Sequence, residues 1–291
     1  MENKKIIVSC DTTIALTKEE ILKENLYVIP LNAIADGVEY HDSIDIDANK
    51  LSSLMRNGAK VTTSTPTLGE IEKYFDDLFN KTNADVIIHF TISSKLSSMY
   101  SLFTNFCNEK YNGKVKVVDS LSICCWMLNQ VKYAKHLVSL GYDADTIINK
   151  VKTELVGTED CAFIPDSLEY LKRGGRISPA VASIANLIGV LPILTFNNGV
   201  VGKKGMTRTL TKACINAIKE WLDNIKDFDD SYDFVIVYTD DMCKEKVTRA
   251  KALIKELAPN SKIEVSPLSL NVTAHTGPGT VGIGIKKRYK A

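Results

Sequence analysis

The sequence lacks any apolar run that approaches the ~18 residues a helix needs to cross a bilayer. We also expect no secretory leader, because the opening MENKKIIVSC passes straight into a short strand-like run without a long apolar segment or a cleavage site. We therefore expect a cytoplasmic protein with no transmembrane segment.

Neither sign of charge is in excess, with 36 Lys and Arg against 35 Asp and Glu in 291 residues. Nucleic-acid-binding proteins usually carry a basic excess or stripe, so nucleic acid is not an expected partner. The seven cysteines are odd in number and none has CxxC spacing, which disfavours a disulfide framework and a zinc site. We expect buried free thiols, no bound metal and no other cofactor.

The first half alternates short β-branched runs with longer amphipathic stretches, which predicts a mainly parallel sheet with helices on its faces. The predicted strands cover residues 5–10, 27–31, 84–91 and 114–118. The predicted helices cover residues 17–24, 47–56, 68–80, 97–108, 120–140 and 143–155.

The second half has a different pattern. LPILTFNNGVVGK predicts two strands joined at Asn197-Asn198-Gly199, which is a hairpin signal. Further strands are predicted at 161–164, 233–238, 262–267 and the glycine-rich C-terminal end, with helices at 209–225 and 241–257. The chain is therefore predicted to be α/β with two domains: a parallel-sheet, Rossmann-like domain at 1–158 and an α+β domain at 159–291.

The segment VTTSTPTLGE holds five hydroxyl residues, and two interpretations of it stay open. Thr65 could cap a helix that starts at Pro66, and Thr67 with Glu70 has the spacing of a capping box. Capping needs only one or two hydroxyls, however. The others suit neutral donors that face an anion at a helix N-terminus, namely Thr62, Thr63 and Ser64.

A second hydroxyl cluster lies in FTISSKLSSMYS. Ser93 and Ser94 follow a buried strand, at the edge where open α/β sheets bind ligands. Local capping is again an alternative. Two such clusters in one α/β domain favour a shared site, because both are expected at the same edge of the sheet.

The segment LKRGGRIS predicts a tight turn at Gly174-Gly175, between Arg173 and Arg176. Two arginines on one turn can bind a phosphate or carboxylate through paired hydrogen bonds. They can equally hold the turn itself through carbonyl groups and nearby carboxylates.

Near the C-terminal end, AHTGPGTVGIG places His275 before a glycine-rich loop. Gly277, Gly279 and Gly282 spell G-x-G-x-x-G, but a dinucleotide fingerprint must follow a strand and open a helix early in a βαβ unit. Here residues 281–285 are predicted as a strand, so the glycines are expected to allow close approach of backbone or ligand. His275 is a candidate site residue, and a structural role is the alternative.

No Walker A motif, G-x-S-x-G elbow or HExxH motif occurs in the sequence. A hydrolase or transferase that uses Ser94 with His275 remains an alternative from the residues alone. A module that binds phosphate or a nucleotide through Arg173 and Arg176 is another.

Taken in order, these segments resemble the DegV family of bacterial fatty-acid-binding proteins over essentially the whole chain. The segments that carry the resemblance are Cys10-Asp11-Thr12-Thr13, Thr63-Ser64-Thr65-Pro66, Ser93-Ser94-Lys95-Leu96-Ser97, Leu171 to Ser178, and His275 with Gly277-Pro278-Gly279.

The resemblance implies one long-chain fatty acid in a tunnel between the two domains, with the segment from about residue 270 to 291 packing back toward it. Thr62 and Ser94 match the carboxylate contacts, with His275 near the carboxylate. Thr63, Ser64 and Ser93 lie close by, and the supporting positions are Arg173, Gly174, Gly175, Arg176, Gly277 and Gly279.

The resemblance also implies a partner: a separate fatty acid kinase that converts the bound carboxylate to an acyl phosphate for phospholipid synthesis. The protein itself is then a carrier and not an enzyme. A lipid sensor that does not hand over its ligand is an alternative.

Two segments depart from the family pattern. The usual Leu-Ser-Gly-Thr-Tyr is Leu96-Ser97-Ser98-Met99-Tyr100 here. The basic run Arg-Thr-Arg-Lys-Lys-Ala is reduced to two basic residues, Arg208 and Lys212, which would dock the kinase.

Overall fold

The computed structural model describes residues 4–176 and 190–289. Ile177 and Ser178, at the end of the segment from Leu171, lie outside the described residues. Within those ranges the strands form three sheets, of four, six and three strands.

In chain order the strands are β1 (Ile6–Asp11), β2 (Tyr27–Ile29), β3 (Asn32–Ala35), β4 (Val38–His41), β5 (Val61–Ser64), β6 (Val86–Thr91), β7 (Val115–Asp119), β8 (Asp160–Ile164), β9 (Leu191–Asn197), β10 (Val200–Thr207), β11 (Tyr232–Tyr238), β12 (Ile263–Pro267) and β13 (Val281–Lys287). The described α-helices are α1 (Lys18–Lys23), α2 (Ala48–Arg56), α3 (Leu68–Thr82), α4 (Met99–Tyr111), α5 (Cys124–Ser139), α6 (Ala144–Glu154), α7 (Glu169–Arg173), α8 (Leu210–Asn224), α9 (Phe228–Ser231), α10 (Lys244–Leu257) and α11 (Leu270–Thr276). Short 3-10 turns cover Thr12–Ile14 and Asp241–Cys243.

The four-stranded sheet is parallel throughout, in the order β2-β1-β6-β7, which confirms the predicted α/β class. Helices cover both faces, so β6 is buried along its whole length. Alternate residues of β6 serve the two faces: Ile87 packs with Phe75 of α3 and Phe103 of α4, whereas Ile88 packs with Val131 of α5.

The six-stranded sheet has the order β10-β9-β8-β13-β11-β12 and is mostly antiparallel, as an α+β second half requires. Its outer face, which includes Ala162 and Ile236, packs under α8 and α10. Its inner face, which includes Phe163 and Val237, packs toward the parallel sheet. The domain boundary predicted at residues 158 and 159 falls between α6 and β8 and stays a prediction.

The predicted hairpin is confirmed. β9 and β10 pair antiparallel, and Asn198 and Gly199 both have positive φ, at 46° and 76°. This is the backbone that an Asn-Gly turn favours, because positive φ at both positions matches the twist of the strands.

The three-stranded antiparallel sheet, in the order β4-β3-β5, was not predicted. Each of its strands has four residues, which is too short for a clear alternation of apolar and polar positions. Helix α11 packs against β3, β5 and α2, so a C-terminal helix lies on the N-terminal half of the chain.

Helix α3 begins at Leu68, as the predicted range 68–80 had it, and Thr67 with Glu70 forms the complete capping box that their spacing indicated. The other start considered, at Pro66 with Thr65 as the cap, is wrong. Thr67 N donates to Glu70 Oε2 at 2.7 Å, and Glu70 N donates to Thr67 Oγ1 at 3.3 Å. Two reciprocal hydrogen bonds outweigh the preference of proline for a first helical position.

All seven cysteines are buried and free, as the sequence predicted. Burial raises the pKa of the Cys124 thiol to about 12, so it is protonated at neutral pH. A buried protonated thiol behaves as a small apolar group and contributes to packing.

Candidate functional site

A cavity of about 370 Å³ is lined by residues from the first half of the chain and from the inner face of the six-stranded sheet. This volume falls in the range of roughly 300–1,000 Å³ typical of small-molecule sites. The wall is largely apolar and includes Ile92, Met99, Trp126, Phe163, Phe196 and Val237.

The polar part of the wall is built around a contact between β5 and α11. Thr63 Oγ1 and His275 Nε2 are 2.9 Å apart, although 212 residues separate them in the chain. Ser64 follows Thr63 along the same cavity wall. Arg176 also lines the cavity, and its Nε donates to Leu96 O at 3.1 Å. Among the described residues, the cavity wall therefore combines hydroxyl groups with one imidazole and one guanidinium.

His275 is neutral at neutral pH. Burial, and after it the positive charge of Arg176, lower the pKa of His275 from 6.5 to about 4. A neutral imidazole carries one N–H donor and one acceptor nitrogen, so it can accept a hydrogen bond from the Thr63 hydroxyl or donate one to it. The residue therefore suits a positioning role beside a hydroxyl.

Glycines on both sides of His275 allow its placement. A Cβ at position 174 would overlap the imidazole ring, so only glycine fits in the α7 turn. Gly277 ends α11 with φ at 82°, a conformation that side chains rarely adopt. A Cβ at position 277 would also overlap the Tyr170 ring, so the close approach predicted for the C-terminal glycines occurs at Gly277.

The Gly-Pro-Gly loop is anchored by an ion pair that the sequence pattern did not indicate. Asp240 accepts from Arg56 Nη2 at 2.9 and 2.8 Å and from Gly279 N at 3.1 Å. Burial alone would raise the pKa of the Asp240 carboxyl. These hydrogen bonds outweigh burial and lower that pKa below its ordinary value of 3.8. Because 184 residues separate Arg56 from Asp240, no local pattern could have revealed the pair.

The structure separates Thr62 from Thr63. Successive residues of a strand point to opposite faces, and Thr62 is exposed whereas Thr63 contacts His275. Thr62 does not line the cavity. Of the first hydroxyl cluster, Thr63, Ser64 and Thr65 line it.

Ser93 and Ser94 lie at the end of β6, as predicted, but neither lines the cavity. Ser93 is buried, and its Oγ donates to Gly199 O at 2.9 Å. Ser94 is exposed, and its backbone N–H donates to Asp119 Oδ1 at 3.0 Å. The next two serines along the chain, Ser97 and Ser98, do line the cavity.

The two arginines of the α7 turn do not converge on one point. Arg173 is exposed and pairs with Glu169 Oε1 at 2.7 Å. Arg176 Nη1 donates to Gly174 O at 2.6 Å, which ties the turn together, and Gly175 in that turn has φ at 68°. These contacts match the structural interpretation and give no support to a two-arginine phosphate site.

The proposed docking residues Arg208 and Lys212 are both exposed, near the end of β10 and the start of α8. Arg208 lies before the helix, because the N-cap Thr209 has an extended backbone, whereas Lys212 lies in its first turn. Neither lines the cavity.

The His275 imidazole is hydrogen-bonded to Thr63. Among the described residues, no hydrogen bond joins it to Ser94, as a serine hydrolase would require. Across residues 4–176 and 190–289, no three His, Cys, Asp or Glu side chains are placed to share a metal ion. In the same ranges, no helix combines the length and apolarity needed to cross a membrane.

The fold and cavity define an α/β protein with a largely apolar site that has hydroxyl and imidazole groups on its wall. A sequence model of the family described as "Uncharacterised protein, DegV family" matches residues 5–288. The chain therefore belongs to the DegV family.

Curated relatives carry the same family name. The chain is 31% identical over 212 residues to a DegV domain-containing protein of Mycoplasmopsis pulmonis, which is 72% of each chain. It is 28% identical to a DegV domain-containing protein of Staphylococcus aureus, over 98% of this chain and 99% of that one.

Two solved structures are similar along nearly the whole chain. One is described as fatty acid binding of a DegV family protein from Thermus thermophilus, with 26% identity, a TM-score of 0.83, and coverage of 97% and 99%. The other is DegV of Bacillus subtilis, described as a fatty acid binding protein, with 26% identity, a TM-score of 0.82, and coverage of 98% and 100%.

Proposed function

We propose that this protein binds a long-chain fatty acid in the cavity, with the carboxylate beside Thr63 and His275 and the acyl chain among the apolar residues. The observation that carries the proposal is an apolar cavity of about 370 Å³ whose wall holds the Thr63–His275 contact at 2.9 Å. The description of two similar structures as fatty-acid-binding proteins supports it.

The acyl chain supplies most of the affinity in this proposal. Each buried methylene contributes about 0.8 kcal/mol before the costs of binding. Residues such as Trp126, Phe163 and Phe196 form a wall to which an alkyl chain can pack. The head group therefore decides orientation more than overall affinity.

Neutral donors suit a carboxylate that a second protein must reach. In the tautomer protonated on Nε2, His275 donates to Thr63 Oγ1, and the Thr63 hydroxyl proton is free to bind the carboxylate. Hydrogen bonds to a charged group contribute about 1.5–3 kcal/mol each. They withdraw less charge from the carboxylate than a paired lysine or arginine would.

The placement of side chains favours Thr63 and Ser64 over Thr62 and Ser94 for the carboxylate. Thr63 and Ser64 line the cavity, whereas Thr62 and Ser94 are exposed. The assignment of Thr62, Ser94 and the neighbouring Ser93 rests on the resemblance and on their place in the two hydroxyl clusters of the sequence.

We further propose that the protein is a carrier, which presents the carboxylate to a fatty acid kinase for conversion to an acyl phosphate used in phospholipid synthesis. Arg208 and Lys212 are the proposed docking residues, because both are basic and exposed and lie close together in the chain. The cytoplasm is the proposed location, since seven buried free thiols suit a reducing compartment.

Mass spectrometry of an organic extract of the freshly purified protein tests the binding proposal. We expect a long-chain fatty acid in the extract, and uptake of added acid after its removal. A protein that neither carries nor takes up any fatty acid would contradict the proposal. Turnover of acyl esters that is lost in Ser94→Ala would support the hydrolase alternative instead.

Two double variants distinguish the two sets of residues proposed to bind the carboxylate. We expect Thr63→Ala with Ser64→Ala to weaken retention of the acid, and Thr62→Ala with Ser94→Ala to leave it unchanged. The reverse pattern would favour the residues implied by the resemblance.

Hand-over needs a separate measurement, because a lipid sensor would bind the same ligand. We expect acyl phosphate to form when the loaded protein is mixed with a fatty acid kinase and its phosphoryl donor. Charge reversal at Arg208 and Lys212 should slow that reaction without changing fatty acid affinity. Binding without any phosphorylation would favour the sensor.

A further inference from the structure

Asn271 lines the cavity one helical turn before His275. It is the second residue of α11 and is only 5% exposed. Residues four apart on a helix lie on one side, about 6 Å apart along the axis. Asn271 therefore borders the part of the cavity that adjoins the proposed carboxylate position.

Both polar atoms of the Asn271 side chain lack a hydrogen-bond partner in the described part of the chain. Among the described residues that line the cavity, no other has a buried polar side-chain atom without a partner. By contrast, Thr276 Oγ1 donates to Val272 O at 2.9 Å, and His275 contacts Thr63. Buried amides are almost always hydrogen-bonded, so an unpaired one on a cavity wall indicates a missing partner.

The chemistry of an amide restricts what that partner is. Nδ2 needs an acceptor and Oδ1 needs a donor. A methylene group offers neither, and a carboxylate only accepts, so it would leave Oδ1 unpaired. A hydroxyl group both donates and accepts, and it can sit on an acyl chain without adding charge to an apolar cavity.

We infer that the cavity selects a fatty acid that carries a hydroxyl group on the carboxyl-proximal part of its chain, and that Asn271 is the residue that recognises this hydroxyl. The inference rests on the proposed function and names the class of acid within it. Asn271 is a specificity residue in this account, whereas Thr63 and His275 hold the carboxylate.

Binding of defined acids to the delipidated protein tests the inference. The probes are saturated long-chain acids of equal length with one hydroxyl at successive positions from the carboxyl end, and the unsubstituted acid as reference. We expect one hydroxylated isomer to bind about tenfold more tightly than the reference acid, the ratio that one well-placed hydrogen bond supplies.

Asn271→Leu has nearly the same size and no polar atoms. In this variant the preferred hydroxy acid should lose about tenfold in affinity, and the reference acid should bind as well as before or better. Val272→Ala, at the next cavity-lining position, is the matched control and should weaken both acids equally. A merely structural role of Asn271 would not abolish the preference.

The outcomes separate this inference from the proposed function. Equal affinity of the wild-type protein for all the acids would overturn the inference and leave fatty acid binding intact, a result that needs no variant. A preference that survives in Asn271→Leu would overturn the role of Asn271. Failure of every acid to bind would overturn the proposed function and the inference together.

Discussion

The two faces of the six-stranded sheet are both apolar, yet only the inner face borders the cavity described above. On the outer face, Ile236 is fully buried with Ala213 of α8 and Ile254 of α10. On the inner face, its neighbour Val237 lines the cavity. A continuous apolar run in a strand makes both of its faces suitable for burial, and what covers each face decides whether it becomes core or binding site.

The largest expected difference between the faces is in stability. Ile236→Ala should lower the free energy of unfolding by about 2–5 kcal/mol, because it opens a void in close-packed core. Val237→Ala should cost less than about 2 kcal/mol, since its side chain already borders a cavity. Denaturant unfolding of the ligand-free proteins measures both, and equal losses would contradict the comparison.

Larger side chains at the same two positions should affect binding on the inner face and stability on the outer face. Val237→Phe should be tolerated by the fold but reduce fatty acid affinity by about tenfold or more, because the ring occupies the space of two or more methylenes. Ile236→Phe should instead destabilise the protein by about 1–3 kcal/mol through overpacking and leave binding unchanged. Ligand titration and thermal unfolding of both variants provide the test.

A smaller comparison concerns the two faces of β5. Thr63→Val should weaken fatty acid binding by about tenfold, the loss of one hydrogen bond to a charged group. Thr62→Val, on the exposed face of the same strand, should bind normally. Similar losses in both variants would indicate that the strand, and not the hydroxyl, matters.

The last comparison concerns a pH dependence of stability on the cavity side. His275 has a pKa of about 4 in the folded protein against 6.5 otherwise, so the unfolded chain binds more protons between these values. Stability should therefore decrease as the pH falls from about 6.5 to about 4, and His275→Gln should lose less over that interval.

Other buried groups titrate as well. The contribution of His275 is therefore measured as the difference between wild type and His275→Gln in the free energy of unfolding as a function of pH. The pKa of His89 is lowered to about 3 by burial, and those of Asp42 and Glu159 are raised to about 7, chiefly by burial. These contributions are common to both proteins. Parallel curves for wild type and variant would contradict a neutral His275 in the folded state.

Much of the fold followed from local patterns. The four parallel strands, the Asn198-Gly199 hairpin and most of the longer helices were predicted, because periodicity and turn preferences are properties of adjacent residues. The short strands β3, β4 and β5 were missed, since four residues carry too little alternation and their pairing is decided by distant contacts.

The site was predicted only in part, for a similar reason. His275 and the hydroxyl cluster at residues 62–64 were singled out from the sequence, and Thr63 and His275 meet at the cavity. Asn271 was not recognised, because nothing in the residues around it shows that its amide lacks a partner.

The sequence by itself determined the α/β class, the free cysteines and the candidates for the site, all of which depend on composition and short-range spacing. Only the tertiary structure decided that Thr63 lines the cavity and Thr62 does not, and that Arg56 braces the loop next to His275. The physical reason is that these contacts join residues about two hundred positions apart, and only packing selects which face of a strand meets them.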